Sequence, residues 1–171
     1  MLRIIILLLL LTAPAQAERV DLAPPGTQVS IRLYGMGFMP LDGNFTRFEG
    51  WLTYDPAQRG ACKVTLRAEA SSLTMSSATL RAEVAGPEFM DVAHYPNLSY
   101  AGACTDDGIE GELTLHGITH PFALAVRHQG NRLVAEGRLH RADWGMTARP
   151  LLGGSTVRIQ VSLPRPEGAP L

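Results

Sequence analysis

The stretch GELTLHGITHPFALAV, Gly111 to Val126, decides the fold class. Leu113, Leu115, Phe122, Leu124 and Val126 are apolar, and Glu112, Thr114, His116 and Arg127 separate or flank them. A His-Gly turn sits in the middle. Alternation of period two makes one face of a sheet dry and the other wet. What lies against the dry face is then the question: more protein, or something the protein carries.

The same alternation recurs along the chain. It predicts eight strands near Thr27–Tyr34, Phe45–Asp55, Ala61–Ser71, Asn97–Cys104, Gly108–His116, Pro121–His128, Arg132–His140 and Ser155–Leu163, punctuated by glycine-rich turns. Charges fall almost wholly on the wet parity: Arg32, Lys63, Arg67, Glu110, Arg127, Glu136, Arg138 and Arg158 among them. Eight strands, each dry on one face, bury those faces by closing into a barrel or by packing as two sheets. One segment breaks the rhythm. Ser77 to Ala85 holds good helix formers and is stopped by Gly86-Pro87, so a short helix is expected between the third and fourth strands.

At 171 residues the chain makes one domain with a real core. Residues 1–17 read as a secretory signal peptide. Arg3 gives a positive start, Ile4–Leu11 is an apolar run too short for a bilayer, and Ala15-Gln16-Ala17 is a small-x-small cleavage site. An uncleaved anchor is the competing reading. The barrel domain is then residues 18–163 and the proline-rich 164–171 a flexible tail. Export implies a periplasmic location, with secretion the alternative. With a net charge of −1, nothing points to a nucleic-acid partner, and none is expected.

Cys62 and Cys104 both fall on dry faces, one starting a strand and the other ending the next. In an antiparallel pair those positions lie opposite each other. An oxidising compartment then permits a disulfide; two unpaired buried thiols are the alternative.

The inward list mixes aromatics such as Phe48, Tyr54, Tyr100 and Phe122 with Gly50, Ala68, Gly102, Gly111, Ala135 and Gly137. Six small residues leave volume that close-packed interiors do not tolerate. Either an apolar ligand fills it, or the glycines serve bends at barrel corners. An apolar lining would cost a sugar or nucleotide its hydrogen bonds, whereas a hydrocarbon gains about 0.8 kcal/mol per buried CH₂.

Four segments in order resemble the YceI-like family of periplasmic, lipocalin-like proteins associated with polyisoprenoid binding. GELTLHGITHPFAL is similar to its G-x-L-T-[ILV]-H-G-V-T-x-P signature, through Gly111, Leu113–Gly117, Thr119 and Pro121. GNFTRFEGWLTYDP (Gly43–Pro56), EFMDVAHYPNLSY (through Phe89, Asp91, Tyr95, Pro96) and HRADWGM (through Arg141, Asp143, Trp144, Gly145, Met146) resemble its other elements. The resemblance implies an all-β, eight-stranded antiparallel lipocalin-like barrel with a helix on the third-to-fourth connection. It implies an apolar cavity for a polyisoprenoid or isoprenoid quinone, held non-covalently with no other cofactor. Two family elements are changed: Gly35 stands where a His is common, and Leu80-Arg81-Ala82-Glu83 where Arg-Asp-x-His is usual.

The expected ligand contacts are Leu33, Phe48, Leu52 and Leu66; Ala68, Phe89, Tyr100 and Gly102; Leu113, Leu124 and Trp144. Phe38 and Met39 join them from the apolar loop Gly35–Gly43, which reads as a lid over the mouth or as a plug completing the core. Arg141 shares the inward parity of Leu139. It is expected either in an ion pair with Asp143 or Asp91, or at a ligand headgroup. Trp51, on the wet parity, marks a contact surface or lies under a loop. His116 and His120 flank one turn, but no third ligand accompanies them, so no metal site is expected. No nucleophile elbow, H-E-x-x-H or paired-carboxylate spacing occurs, so catalysis is not expected. The partners of such a carrier are its lipid and a membrane redox or transport protein; a homodimer sharing a mouth stays open. The rival reading is a packed-core periplasmic stress or interaction module without a ligand.

Overall fold

The computed structural model describes residues 17–35, 38–57, 61–147 and 154–166. The expected leader, apart from Ala17, and the end of the expected tail lie outside these residues. Eleven antiparallel strands form one curled sheet: β1 (Glu18–Asp21), β2 (Gln28–Gly35), β3 (Met39–Phe45), β4 (Phe48–Tyr54), β5 (Cys62–Glu69), β6 (Leu73–Met75), β7 (Asn97–Thr105), β8 (Gly108–Leu115), β9 (Ile118–Gln129), β10 (Arg132–His140) and β11 (Thr156–Pro164).

The count of eleven corrects the expected eight, and the reason is local. The chain makes eight passes, but the first three are each broken once at a corner. β3 pairs with β2 and β6, while its continuation β4 pairs with β1 and β5. So β1–β2, β3–β4 and β5–β6 are three long strands bent in the same region of the sheet. At the bend, Thr46 N–H donates to Ser72 O at 3.2 Å and Glu69 N–H to Arg47 O at 3.0 Å. The Ser72 hydroxyl donates to Glu69 O at 2.7 Å, which satisfies a corner carbonyl from within. With β2 also paired to β11, the pairings return on themselves through the β3–β4 bend, and the sheet is barrel-like.

The corner also flips parity. Phe45 and Phe48 are three residues apart, yet both are buried. A straight strand would send them to opposite faces. The Gly35–Gly43 segment is correspondingly not all loop: β3 begins at Met39 and pairs with β2 from Gly35↔Met39 to Val29↔Phe45.

The helix forms as the residues dictate. α1 spans Ala78–Ala85, with the Ser77 side chain accepting from Leu80 N–H at 3.2 Å and Gly86 ending it. Beyond it the chain turns back, Met90 N–H donating to Val84 O at 3.0 Å, and drops Phe89 and Met90 into the interior. The register puts this segment at the barrel end where β8 meets β9 and where β10 leads into a short 3₁₀ turn, Arg141–Trp144. The opposite end carries a disulfide. Lys63↔Ala103 pairing sets Cys62 beside Cys104, their Cα atoms 5.0 Å apart, and the bond joins them across 42 residues.

Candidate functional site

Inside the barrel lies a cavity of about 80 Å³. Leu22, Ile31, Phe45, Val64, Leu98, Leu133, Ala135 and Ile159 contribute to a lining that is almost wholly apolar. Its one polar side-chain group is the Tyr100 hydroxyl. That group points its proton at main-chain oxygens, 3.2 Å from Phe122 O and 3.3 Å from Ile109 O. Burial, with a smaller contribution from the Glu110 charge, pushes the phenol up to about 12. Among the described residues the cavity therefore offers no free hydrogen-bonding side chain. It suits hydrocarbon and excludes polar ligands.

The volume settles how the small inward residues are used. An apolar cavity of about 150 Å³ admits benzene, and drug-sized pockets start near 300 Å³. Eighty is enough for a few methylene groups. Neighbouring rings and backbone have closed over the glycines. A Cβ on Gly137 would enter the Phe122 ring, and one on Gly102 would come within 2.8 Å of both the Tyr100 hydroxyl and Glu110 O. At Gly50 and Gly111 the neighbouring strands' carbonyls of Thr65 and Ala101 occupy the space. These glycines permit close approach rather than leaving voids.

Of the expected contacts, Leu52, Leu66, Phe89, Tyr100, Leu113 and Leu124 line the cavity. Leu33, Phe48, Ala68 and Trp144 are buried in the core but do not line it, and Gly102 lies beneath the Tyr100 hydroxyl. Phe38 and Met39 are on the outside, 73% and 49% exposed, so they neither cap nor plug this cavity. Arg141 is half-buried and does not line the cavity; its guanidinium lies 5.8 Å from the centroid of the Phe89 ring, which does. Trp51 is exposed, with the Arg19 guanidinium 4.9 Å from its ring centroid. Sequence reasoning missed Met90 and Met146, both buried against the cavity from irregular segments where parity gives no signal. It also missed Phe45; the Phe45/Phe48 spacing was the available sign of a corner.

At the helix end of the barrel, the segments around His116, Tyr95 and Trp144 converge. His116 N–H (Nδ1) donates to Trp144 O, and His120 N–H (Nε2) to Asp143 O, each at 3.0 Å. A carbonyl only accepts, so the partner fixes which ring nitrogen carries the proton. The Trp144 ring meets His120 edge-on at 5.0 Å and Phe122 at 6.3 Å, and Trp144 Nε1 donates to Leu113 O at 3.4 Å. Tyr95 stacks edge-on to His116 at 4.7 Å and covers Gly117, whose φ of +72° favours glycine. Asp91 accepts from His94 Nδ1 at 2.9 Å. This cluster fastens the β8–β9 turn to the 3₁₀ turn after β10. Among the described residues no three His, Cys, Asp or Glu side chains gather as a metal site, and no helix is long and apolar enough to cross a membrane.

A curled antiparallel sheet around a small apolar cavity, fastened at one end by this aromatic–histidine cluster, defines an all-β, barrel-like class of protein. The YceI-like domain matches residues 21–164, and the chain belongs to that family. A UPF0312 protein of Pseudomonas savastanoi pv. phaseolicola is 27% identical over 138 residues, covering 77% of this chain and 67% of that one. Protein YceI of Salmonella arizonae is 26% identical over 151 residues, covering 80% and 79%. Among solved structures, Burkholderia cenocepacia BcnA superposes with a TM-score of 0.65 at 19% identity, covering 82% of this chain and 96% of that one. A polyisoprenoid-binding domain from Saccharophagus degradans superposes at 0.57 and 14% identity, covering 82% and 94%. At these identities the two superpositions speak to the fold.

Proposed function

We propose that this chain is an exported binding protein, not an enzyme, that holds an amphiphilic lipid of the polyisoprenoid or isoprenoid-quinone type inside the barrel for storage, transport or stress protection. The observation that carries this reading is the lining, whose single hydroxyl is already turned to main-chain carbonyls. The YceI-like family membership and the polyisoprenoid-binding structural relative support the ligand class. The leader-like residues 1–17 and the disulfide support export to an oxidising compartment, the periplasm. A chain of many isoprene units needs more than 80 Å³. Room for it comes from displacing the Phe89–Met90 turn and Met146, which enter the cavity from irregular segments with flexible side chains. A membrane redox or transport protein would exchange the lipid, and a homodimer would bring two mouths together.

The cavity volume and the ring-covered glycines favour a second reading: a packed-core interaction module working through exposed Phe38 and Trp51. Mass spectrometry of an organic extract of natively purified protein separates the two. A stoichiometric isoprenoid lipid is the expected result. Protein free of lipid throughout gentle purification, with function lost on mutating Phe38 and Trp51, overturns the carrier reading.

A further inference from the structure

On the outer face of the barrel, cross-strand pairing builds a grid of polar side chains over β10, β11, β2 and β3. One row reads Arg138↔Arg158↔Arg32↔Asp42, and the next Glu136↔Gln160↔Ser30↔Asn44. Like charges directly opposite each other destabilise a sheet, so three arginines in a row are not explained by the fold. Carboxylates only partly relieve them. Asp42 is gripped by Arg32 through Nε at 2.6 Å and Nη2 at 2.9 Å, which lowers its pKa and neutralises the pair. Glu136 is shared by three arginines: Arg158 at 3.2 Å, Arg127 at 3.4 Å and Arg138 at 3.9 Å. Four arginines thus face two carboxylates. The excess charge gathers at Arg158 and Arg138.

The row also encloses space. A groove of about 240 Å³ lies between Ser30, Arg32, Asp42, Asn44, Arg158 and Gln160. Arg158 is the most enclosed of the four arginines, and its Nε, out of line with Glu136 for a hydrogen bond, is a buried donor without a hydrogen-bond partner. Buried donors left unmatched are costly, and each asks for an explanation. A guanidinium fork with hydroxyl and amide groups beside it is the donor set that matches a tetrahedral oxyanion.

We propose that this groove binds a phosphate-class oxyanion, with Arg158 as its principal donor and Ser30, Asn44 and Gln160 around it. The site is separate from the apolar cavity and does not rest on the carrier reading. The oxyanion comes either from free phosphate or from a phospholipid headgroup at a membrane surface.

The test uses the disulfide-bonded mature chain and its Arg158→Gln variant. Calorimetric titration with inorganic phosphate and sedimentation with phosphatidylcholine vesicles, with and without phosphatidylglycerol, distinguish the two sources. Loss of one charge-assisted hydrogen bond weakens binding roughly 10-fold or more. Saturable phosphate binding that falls by this factor in Arg158→Gln supports a free-anion site. Sedimentation only with phosphatidylglycerol, lost in Arg158→Gln and reduced by salt, supports the headgroup source. Should Arg158→Gln fold poorly, Arg158→Lys replaces it, since it keeps the charge beside Glu136 and removes the guanidinium fork. No saturable binding of either probe, or binding indifferent to these substitutions and equal to that of Arg81→Gln on α1, overturns the proposal.

Discussion

Gly137→Ala tests whether the barrel interior is filled by rings or left hollow. Gly137 sits in β10 opposite Ile159, and its missing side chain is replaced by the Phe122 ring. An added Cβ would enter that ring and come within 2.7 Å of the Ala123 carbonyl oxygen. Phe122 cannot retreat freely, because Tyr100 and Trp144 each meet it edge-on at 6.3 Å. Overpacking of this kind costs about 1–3 kcal/mol, and each disturbed aromatic pair adds about 0.5–1.5 kcal/mol. Against this stands a gain of about 0.5–1 kcal/mol from removing a strand glycine. The net expectation is a loss of about 1–5 kcal/mol, or a Tm lower by roughly 3–15 °C for a domain of this size. Urea unfolding and thermal melts of the oxidised protein measure it. Gly26→Ala is the control, since nothing but Ala23 O at 3.9 Å lies near its Cβ, and a change within about 0.5 kcal/mol is expected. Phe122→Leu in the Gly137→Ala background should return part of the loss, because the smaller side chain vacates the space. A Gly137→Ala protein as stable as its parent, or a double variant showing no such relief, refutes the reasoning and means that the volume beside Gly137 is open.

Other consequences follow from the same geometry. Ala135 lines the cavity, so Ala135→Val should stabilise, by at most ~2 kcal/mol if all 80 Å³ were recovered at about 24 cal/mol per Å³, while lowering lipid uptake; a lower Tm would show a site already packed. Reducing the Cys62–Cys104 bond, or replacing both residues by alanine, should cost up to about 4 kcal/mol for a 42-residue separation, and the unreduced chain should take up no alkyl groups on denaturation. The Tyr100 phenol, held up at about 12 by burial, should ionise well above the ordinary tyrosine range by phenolate absorbance, in a step that is missing from Tyr100→Phe. Because the folded state binds that proton more tightly than the unfolded chain, its contribution to stability is complete below about pH 10 and lost as the pH rises towards 12, a loss that Tyr100→Phe should abolish.

Much of this molecule was legible in the chain because the relevant physics is local. Period-two alternation identified the strand passes and their dry faces, since consecutive side chains on a strand must point opposite ways. The same parity placed Cys62 opposite Cys104, a pairing that depends only on two neighbouring antiparallel strands. Ser77 and Gly86-Pro87 bounded the helix through caps and missing donors that act within one turn. The apolar character of the cavity followed from the inward list.

Tertiary structure decided the rest, because it depends on residues brought together from distant strands. Three passes break at corners where hydrogen bonds from Ser72, Glu69 and Thr46 meet, and one corner carries Phe45 to the inside against its parity. The glycines read alike as void or as close contact until the Phe122 and Tyr100 side chains were seen lying over Gly137 and Gly102. His116 and His120 found their partners in carbonyls more than twenty residues away. The arginine row exists only in the register of β10, β11 and β2. Alternation tells which face a side chain takes; only the pairing of strands far apart in sequence tells what stands opposite it, and cavity volume and charge are both properties of that pairing.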